Sequence, residues 1–599
     1  MDMGSKRSGL YLTAQEMENL SQVALGRKKA DLVVINAGLM NVYTGEILDN
    51  HCVSIKGRCI ALVGPNVSST IGRNTKIIDA KGKTLIPGLI DGHTHLALWS
   101  TVYEFLKYAM KGGTTTIITE SMEVFPVAGC EGVIDFLESL KDQPIKLLAT
   151  APAMTSISQS VAGVPPETLQ KLMDREDIVG LGESYWQAVF QAPERFLPNF
   201  ETVLRKGKIL EGHSAGARGD KLSAYAAMGI SSCHEPITAE ETLERLRLGL
   251  YVMVREGSIR RDLESISKIK DQNVNLRRLI LATDGISPAD LLETGYMEYP
   301  VQKAIDCGFD PVTAVQMATL NVAEHFGLDH VIGGIAPGKM ADMVIIPDPK
   351  TIRAECVISN GSVIVQNGQL SAAPRHHCYL RQSINTVKLP KKLDADDFKI
   401  RINNDQRPKK VRIIDMVTDL VTREIIKEIP VIEGEIKCNK NNNLAKIAAV
   451  DRTHEPGKIF TGLIKGFRLK SGAVACSAAW DTSCIIVVGV NESDMALAVN
   501  RIRELKGGIV ICENNETIGE LALPIFGIIS ELPVEDIAGH MEKIKTTIGK
   551  LGIDFPDPIL TLITLTGAAI PYLRICEEGL VNLKDGKTLK LFSNEKEID

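Results

Sequence analysis

Two histidines two positions apart, His93 and His95, close the apolar run Leu85-Ile86-Pro87-Gly88-Leu89-Ile90-Asp91-Gly92. Alternate side chains of a strand share a face, so both imidazoles can reach one cation. Alone, an H-x-H reads equally as two ordinary histidines. The preceding run argues for more, because strands buried on both faces are continuously hydrophobic and parallel barrels gather their active sites where such strands end. Four later apolar runs end in residues of the same kind: Glu183, His213, His234 and Asp284. Imidazoles and carboxylates are the side chains that bind transition metals. Four imidazoles and two carboxylates are too many for one tetrahedral zinc and suit two divalent ions bridged by Glu183 and a hydroxide. Because metals depress the pKa of water, that hydroxide is a nucleophile at neutral pH, and Asp284 is placed to bind a metal, take the proton and pass it to a leaving group. The reaction class is hydrolysis at a trigonal carbon, a deamination or an amide cleavage.

These residues need a scaffold that brings strand ends together. From Leu89 onward, short apolar runs alternate with amphipathic helical stretches, the pattern of repeated βα units. Eight are counted: Leu89 to His95, Thr114 to Glu120, Ile145 to Pro152, Ile178 to Glu183, Ile209 to His213, Ile230 to His234, Tyr251 to Glu256 and Leu279 to Asp284. Eight units make a (β/α)8 barrel, here over residues 89–334. Arg255 is read as facing away from the barrel or toward an interface and receives no role. Glu256-Gly257-Ser258 shares the rim, as a substrate contact or as a helix cap by Ser258.

Short glycine-broken strands precede the barrel, after a capped helix from Thr13 to Leu25 in an N-terminal extension (1–30), and others follow it. The simplest architecture joins residues 31–88 and 335–372 in one β-sandwich side domain. Asp310 to Leu328 reads as one helix. Residues 373–409, charged and irregular, read as a linker in which His376 and His377 are solvated rather than ligating. Residues 410–599 mix strands and helices (Glu492 to Leu505, Val534 to Leu551) as a separate α/β or α+β domain.

The chain has 599 residues, 44% of them hydrophobic and 24% charged, with a formal net charge of -6. That length calls for several domains, and the charge gives no reason to expect a nucleic-acid partner. A start without a signal-peptide pattern and the absence of a membrane-length apolar run read as cytoplasmic, with no membrane partner. The 12 cysteines form no C-x-x-C pair and read as reduced thiols.

Leu85 to His95 with these strand-end residues resembles the amidohydrolase superfamily, and the longer match is to the adenine deaminase family. It runs through Gly180-Leu-Gly-Glu183, Glu211-Gly-His213, Ser232-Cys-His-Glu235, Leu246 to Ser258, Thr319 to Glu324, Ile335-Ala-Pro-Gly338, Ile485 to Gly489 and Met495 to Arg501. The resemblance implies a barrel with a β-sandwich side domain, a family-specific C-terminal domain, two metals (manganese or iron, with zinc as the alternative), a homo-oligomer (dimer or tetramer) and conversion of adenine to hypoxanthine and ammonia.

Departures cluster beside the ligands. Where the family has Ile-Glu-Ser-Ser after the H-x-H, this chain has Leu96-Ala97-Leu98-Trp99; Asp-Pro-His-Glu becomes Glu120-Ser121-Met122-Glu123; and Ala-His-Asp-Ser-His-Asn becomes Ala479-Trp480-Asp481-Thr482-Ser483-Cys484. A site built to hydrogen-bond a purine edge rejects analogues strongly, so replacing polar groups with apolar ones should shift or loosen that preference. Glu120 and Glu123 are the carboxylates left to protonate a ring nitrogen, Trp99 or Trp480 can stack on a flat ring, and Asp481 completes the candidate substrate contacts. The leading reading is a deaminase of adenine or a related 6-aminopurine. The alternatives are a binuclear hydrolase of a cyclic amide or other nitrogen heterocycle and a metal-binding relative without catalysis, the latter disfavoured by retention of all six candidate ligands.

Overall fold

The computed structural model describes residues 10–593 except 155, 160, 162, 403–405, 438–442 and 571. The ends of the expected N-terminal extension (1–9) and C-terminal domain (594–599) therefore lie outside the described residues. The first element is the helix Ala14–Ala24, started by a capping box in which the Thr13 hydroxyl accepts from the Glu16 amide and the Glu16 carboxylate accepts from the Thr13 amide.

The two β-rich segments flanking the barrel join in one nine-stranded sheet. The seam is antiparallel pairing of Thr84–Pro87 with Met343–Ile346, from Thr84 opposite Ile346 to Pro87 opposite Met343. Thr84–Pro87 leads within two residues into the first barrel strand, so the sheet fixes where the barrel begins.

All eight barrel strands form. Leu89–Thr94, Thr114–Thr119, Lys146–Ala151, Ile178–Tyr185 and Ile209–His213 make a parallel sheet of five, and Ser232–Cys233, Tyr251–Arg255 and Leu279–Ala282 a sheet of three. One junction between them is bridged by the Ser231 amide donating to the Leu210 carbonyl (3.0 Å), the other by the Asp284 amide donating to the His93 carbonyl (3.0 Å). A buried carboxylate braces the second junction: Asp91 accepts from the His93 and Thr283 amides (3.1 and 3.3 Å) and from the Thr283 hydroxyl (2.6 Å). Burial holds the Asp91 carboxyl above its ordinary range despite those donors.

Two expectations change. The single helix over Asp310 to Leu328 is two, Pro311–Met317 and Leu320–His325, with Thr319 out of helical geometry between them. The Ala318 carbonyl accepts from the Ile90 amide of the first barrel strand, and the Thr319 hydroxyl donates back to the Val315 carbonyl, so groups that would continue the helix are used elsewhere. The described residues between 373 and 402 run as a strap along the barrel, with several of them bonded to it. Along the barrel helix Phe125–Leu140, Asp135 accepts from the Leu380 amide and the Ser383 hydroxyl, and His377 Nε2 lies 2.9 Å from the same carboxylate. His377 is thus half-buried against a barrel helix, and His376 meets Tyr103 edge to face.

Beyond the strap, an eight-stranded sheet carries the helix Glu492–Leu505, and a second helix, Val534–Lys550, follows it in the chain. Trp99–Ser100 pairs in parallel with Ile529–Ser530 of this C-terminal part, and one continuous apolar core runs through both regions. Among the described residues no helix is long and apolar enough to cross a membrane.

Replacing Asp91 with alanine leaves buried donors unpaired where the barrel closes, an expected loss of about 2–3 kcal/mol. Equilibrium urea unfolding measures it, and an unchanged midpoint would show that these bonds do not hold the junction.

Candidate metal centre

The barrel delivers side chains from strand ends into one buried space. His93 and His95 each place Nε2 3.3 Å from the same oxygen of Asp284, Oδ1. Asp284 has φ +55°, a left-handed backbone that Asp tolerates better than most residues and that turns the chain just after the eighth strand. Across the floor, His234 Nε2 lies 3.0 Å from Glu183 Oε2, and the His93 and His234 rings stack at 4.3 Å. His213 Nε2 lies 3.1 Å from Glu235 Oε1, which is also 3.5 Å from His234 Nε2. Among the described residues, three groups have ligand atoms close enough to hold an ion: His93, Glu183 and His234; His93, His95 and Asp284; and His213, His234 and Glu235.

The donor set fits divalent cations. Imidazole and carboxylate suit manganese, iron and zinc. The buried His93 Nε2 and Glu183 Oε2 lie beside Asp284 Oδ1 and His234 Nε2 without a well-directed hydrogen bond, and both face into the cluster. Burial disfavours charge on His93 and His213, yet Asp284, Glu120 and Glu183 around the first and Glu235 and Glu183 around the second outweigh it and raise both to about 9. Burial and the charge of His93 together hold His234 below its ordinary value. For Glu183 burial is again overcome, chiefly by His234 and His213, and the carboxyl falls to about 2.

All six residues read from the strand ends as ligands, His93, His95, Glu183, His213, His234 and Asp284, are buried and converge. The candidate substrate contacts divide. A cavity of about 360 Å³ opens above the cluster, walled by Met122, Glu123, Tyr185, Trp480 and Asp481 and roofed by Leu420, Val421, Ala569 and Ile570. Glu123 bonds His95 Nδ1. Trp480 lies nearly parallel to the His95 ring, 6.0 Å away. Asp481 accepts from the Tyr185 hydroxyl (3.2 Å) and the Ala568 amide (2.8 Å).

Glu120 and Trp99 are placed otherwise. Glu120 is packed beneath the ligands: its Oε1 accepts from the Glu183 amide (3.3 Å) and faces His93 Nδ1 at 3.7 Å, while an added Cβ on Gly182 would meet its other oxygen at 2.2 Å. Burial pushes its carboxyl up to about 7, with His93 pulling against it. Trp99 lines a smaller neighbouring cavity, behind Trp480 and His95, because pairing with Ile529 draws its strand toward the C-terminal part.

Three residues without an expected role belong to the site: Tyr185, Glu235 and Arg255. Arg255 points inward, contrary to its reading as outward-facing. It contacts Glu235 and Asp284 through Nη1 and Asp262 through Nε and Nη2. The signal was two residues away: Met253, on the same face, packs with Ile118, Leu148, Val179 and Ile280 of other barrel strands. Glu235 escapes alternation because its strand ends at Cys233. Ser258 does support a cap: it accepts from the amide of Ser287, the N-cap of Pro288–Glu293, and donates to Asp290.

The barrel and its rim define the class: residues 84–371 match the amidohydrolase family, which carries divalent-metal use with it, and residues 419–587 match the adenine deaminase C-terminal domain. An adenine deaminase of Clostridium botulinum is 35% identical over 587 residues, 96% of this chain and 98% of that one. Those of Moorella thermoacetica and Staphylothermus marinus are 34% and 33% identical, covering 97% and 96% of this chain and 98% of each relative. The chain belongs to the adenine deaminase family.

Burial pushes the Asp481 carboxyl up to about 7, against the Ala568 amide and the Tyr185 hydroxyl. An unfolded Asp ionises at its ordinary value, near 3.8. Between those values the folded chain keeps a proton that the unfolded chain has lost, so this group makes stability fall as pH rises through the window. Asp481→Asn is therefore expected to raise the thermal midpoint relative to wild type at pH 8 and not at pH 4. An equal shift at both would assign the effect to packing.

Proposed function

We propose that this chain hydrolyses adenine to hypoxanthine and ammonia. The observation that carries the reading is the joining of two parts: the histidine and carboxylate cluster forms the floor of a cavity whose roof and one wall come from the segment matched as the adenine deaminase C-terminal domain. In the reaction water adds its oxygen at the amino-bearing carbon, the carbon–nitrogen bond breaks, and the departing amine takes a proton to leave as ammonia.

His93, His95 and Asp284 would hold one cation and Glu183 with His234 another, His213 standing beside them next to Glu235, with manganese or iron as the metal and zinc as the alternative. Bound there, divalent cations supply Lewis acidity that makes water acidic enough to attack at neutral pH. Asp284 presents Oδ1 toward both histidines, and a carboxylate so placed can accept a proton from attacking water and return it to the amine. Trp480 offers a flat face to the ring and Met122 an apolar edge. Glu123, in the cavity wall, is better placed than Glu120 to protonate a ring nitrogen. Glu120, beneath His93 and bonded to the Glu183 amide, orients both. Asp481 and Tyr185 form the polar wall from which a ring nitrogen or carbonyl is recognised.

A second reading, hydrolysis of a cyclic amide or another nitrogen heterocycle, draws on Met122 in the cavity wall where the family has a histidine. The enzyme is proposed to be cytoplasmic, from the sequence pattern of its start and apolar runs, and a homo-oligomer, dimer or tetramer, from the family resemblance.

Ammonia release by metal-reconstituted protein, measured over a panel of aminopurines and cyclic amides, separates the readings: adenine is expected to react, and silence on every aminopurine would overturn the first. Asp284→Asn should lower kcat by about 10²–10⁴-fold, the range of a lost general acid-base group. Near-wild-type turnover would remove Asp284 from the proton path.

A further inference from the structure

Of the three groups able to hold an ion, the third, His213, His234 and Glu235, differs from the others in having a cation built into it already. Arg255 is 4% exposed, and its guanidinium lies between two carboxylates of the centre. Nη1 bonds Glu235 Oε1, the oxygen facing His213 and His234, and lies 3.5 Å from Asp284 Oδ2. The opposite side of the guanidinium is anchored by Asp262 Oδ2, 3.1 Å from Nε and 3.0 Å from Nη2. The arginine therefore cannot swing clear without leaving the Asp262 carboxylate without its guanidinium partner.

This geometry treats the two carboxylates differently. On Asp284 the guanidinium takes the outer oxygen, Oδ2, and leaves Oδ1 to His93 and His95. On Glu235 it takes the same oxygen that a cation at His213 and His234 would need. Neutralised in this way, Glu235 contributes little negative charge to that group, and a metal ion there would lie beside a fixed positive charge in a buried space. It would also compete for His234, whose Nε2 is 3.0 Å from Glu183.

We propose that Arg255 is a positioning residue that withholds Glu235 from metal binding and limits the centre to the cations served by Glu183 and Asp284. The inference rests on the two-cation reading above. Arg255 thus sets how many cations the rim accepts, and Glu235 remains in the cavity wall as a polar group facing the substrate instead of a ligand.

The test counts Mn²⁺ bound per chain by equilibrium dialysis of chelator-treated, full-length protein. Glu235→Gln is expected to keep the wild-type number of ions with unchanged dissociation constants; loss of one ion would make Glu235 a ligand and overturn the proposal. Arg255→Gln should bind one Mn²⁺ more than wild type, Arg255→Lys the wild-type number, and the double variant Arg255→Gln/Glu235→Gln should lose the gain. An Arg255→Gln protein with native near-ultraviolet circular dichroism and no additional ion would also overturn it. Should Arg255→Gln not fold, Glu235→Gln decides alone. Fewer than two ions on the wild-type chain would defeat the two-cation reading, while the comparison of wild type with Glu235→Gln still judges the role of Arg255.

Discussion

Charge balance in a buried space is the constraint on which the barrel mouth depends. Glu183, Glu235 and Asp284 meet His93, His95, His213 and His234 where little water reaches, and isolated charges there would be prohibitive. The arrangement is tolerable because every carboxylate faces an imidazole or the Arg255 guanidinium, and because divalent cations can take the place of protons. Polar features around the cluster follow from the same demand: Asp262 behind Arg255, Glu123 behind His95 and Glu120 behind His93 each complete a charge that would otherwise stand alone. Metal dependence and structural integrity are in this sense one property of the rim.

The cavity above the cluster is composite. The barrel supplies the floor, while the C-terminal part contributes Trp480 and Asp481 to the wall and Leu420, Val421, Ala569 and Ile570 to the roof. Buried Arg574 ties that roof together, donating to the Gly567 and Leu420 carbonyls. The strand pairing of Trp99 with Ile529 and the strap over Phe125–Leu140 hold the C-terminal part against the barrel. Under the proposed function, a cavity formed this way would put the chemistry on the barrel and much of the recognition on the C-terminal part.

Much of this was legible in the chain. Eight apolar runs with polar ends announced eight barrel strands, since a strand buried on both faces must be continuously apolar and its last residues are the first free to be polar. The six candidate ligands were visible for the same reason. Asp310 to Leu328 was misread because helical periodicity cannot show that the Ala318 carbonyl is claimed by a distant strand. The pinning of His377, Leu380 and Ser383 was not legible because irregular, charged sequence looks the same whether it is solvated or held by a carboxylate such as Asp135.

The sequence by itself determined the barrel, the identity of the strand-end residues and the hydrolytic class, all of which follow from local patterns of polarity and ligand chemistry. Only the tertiary structure decided which of the nearby acids face the cavity. Glu123 enters it and Glu120 lies beneath, Trp480 lines it and Trp99 turns away, and Arg255 reaches inward to hold Glu235. Those choices depend on contacts between residues far apart in the chain, where packing space and the pairing of buried charges outweigh any preference that neighbours in sequence can express.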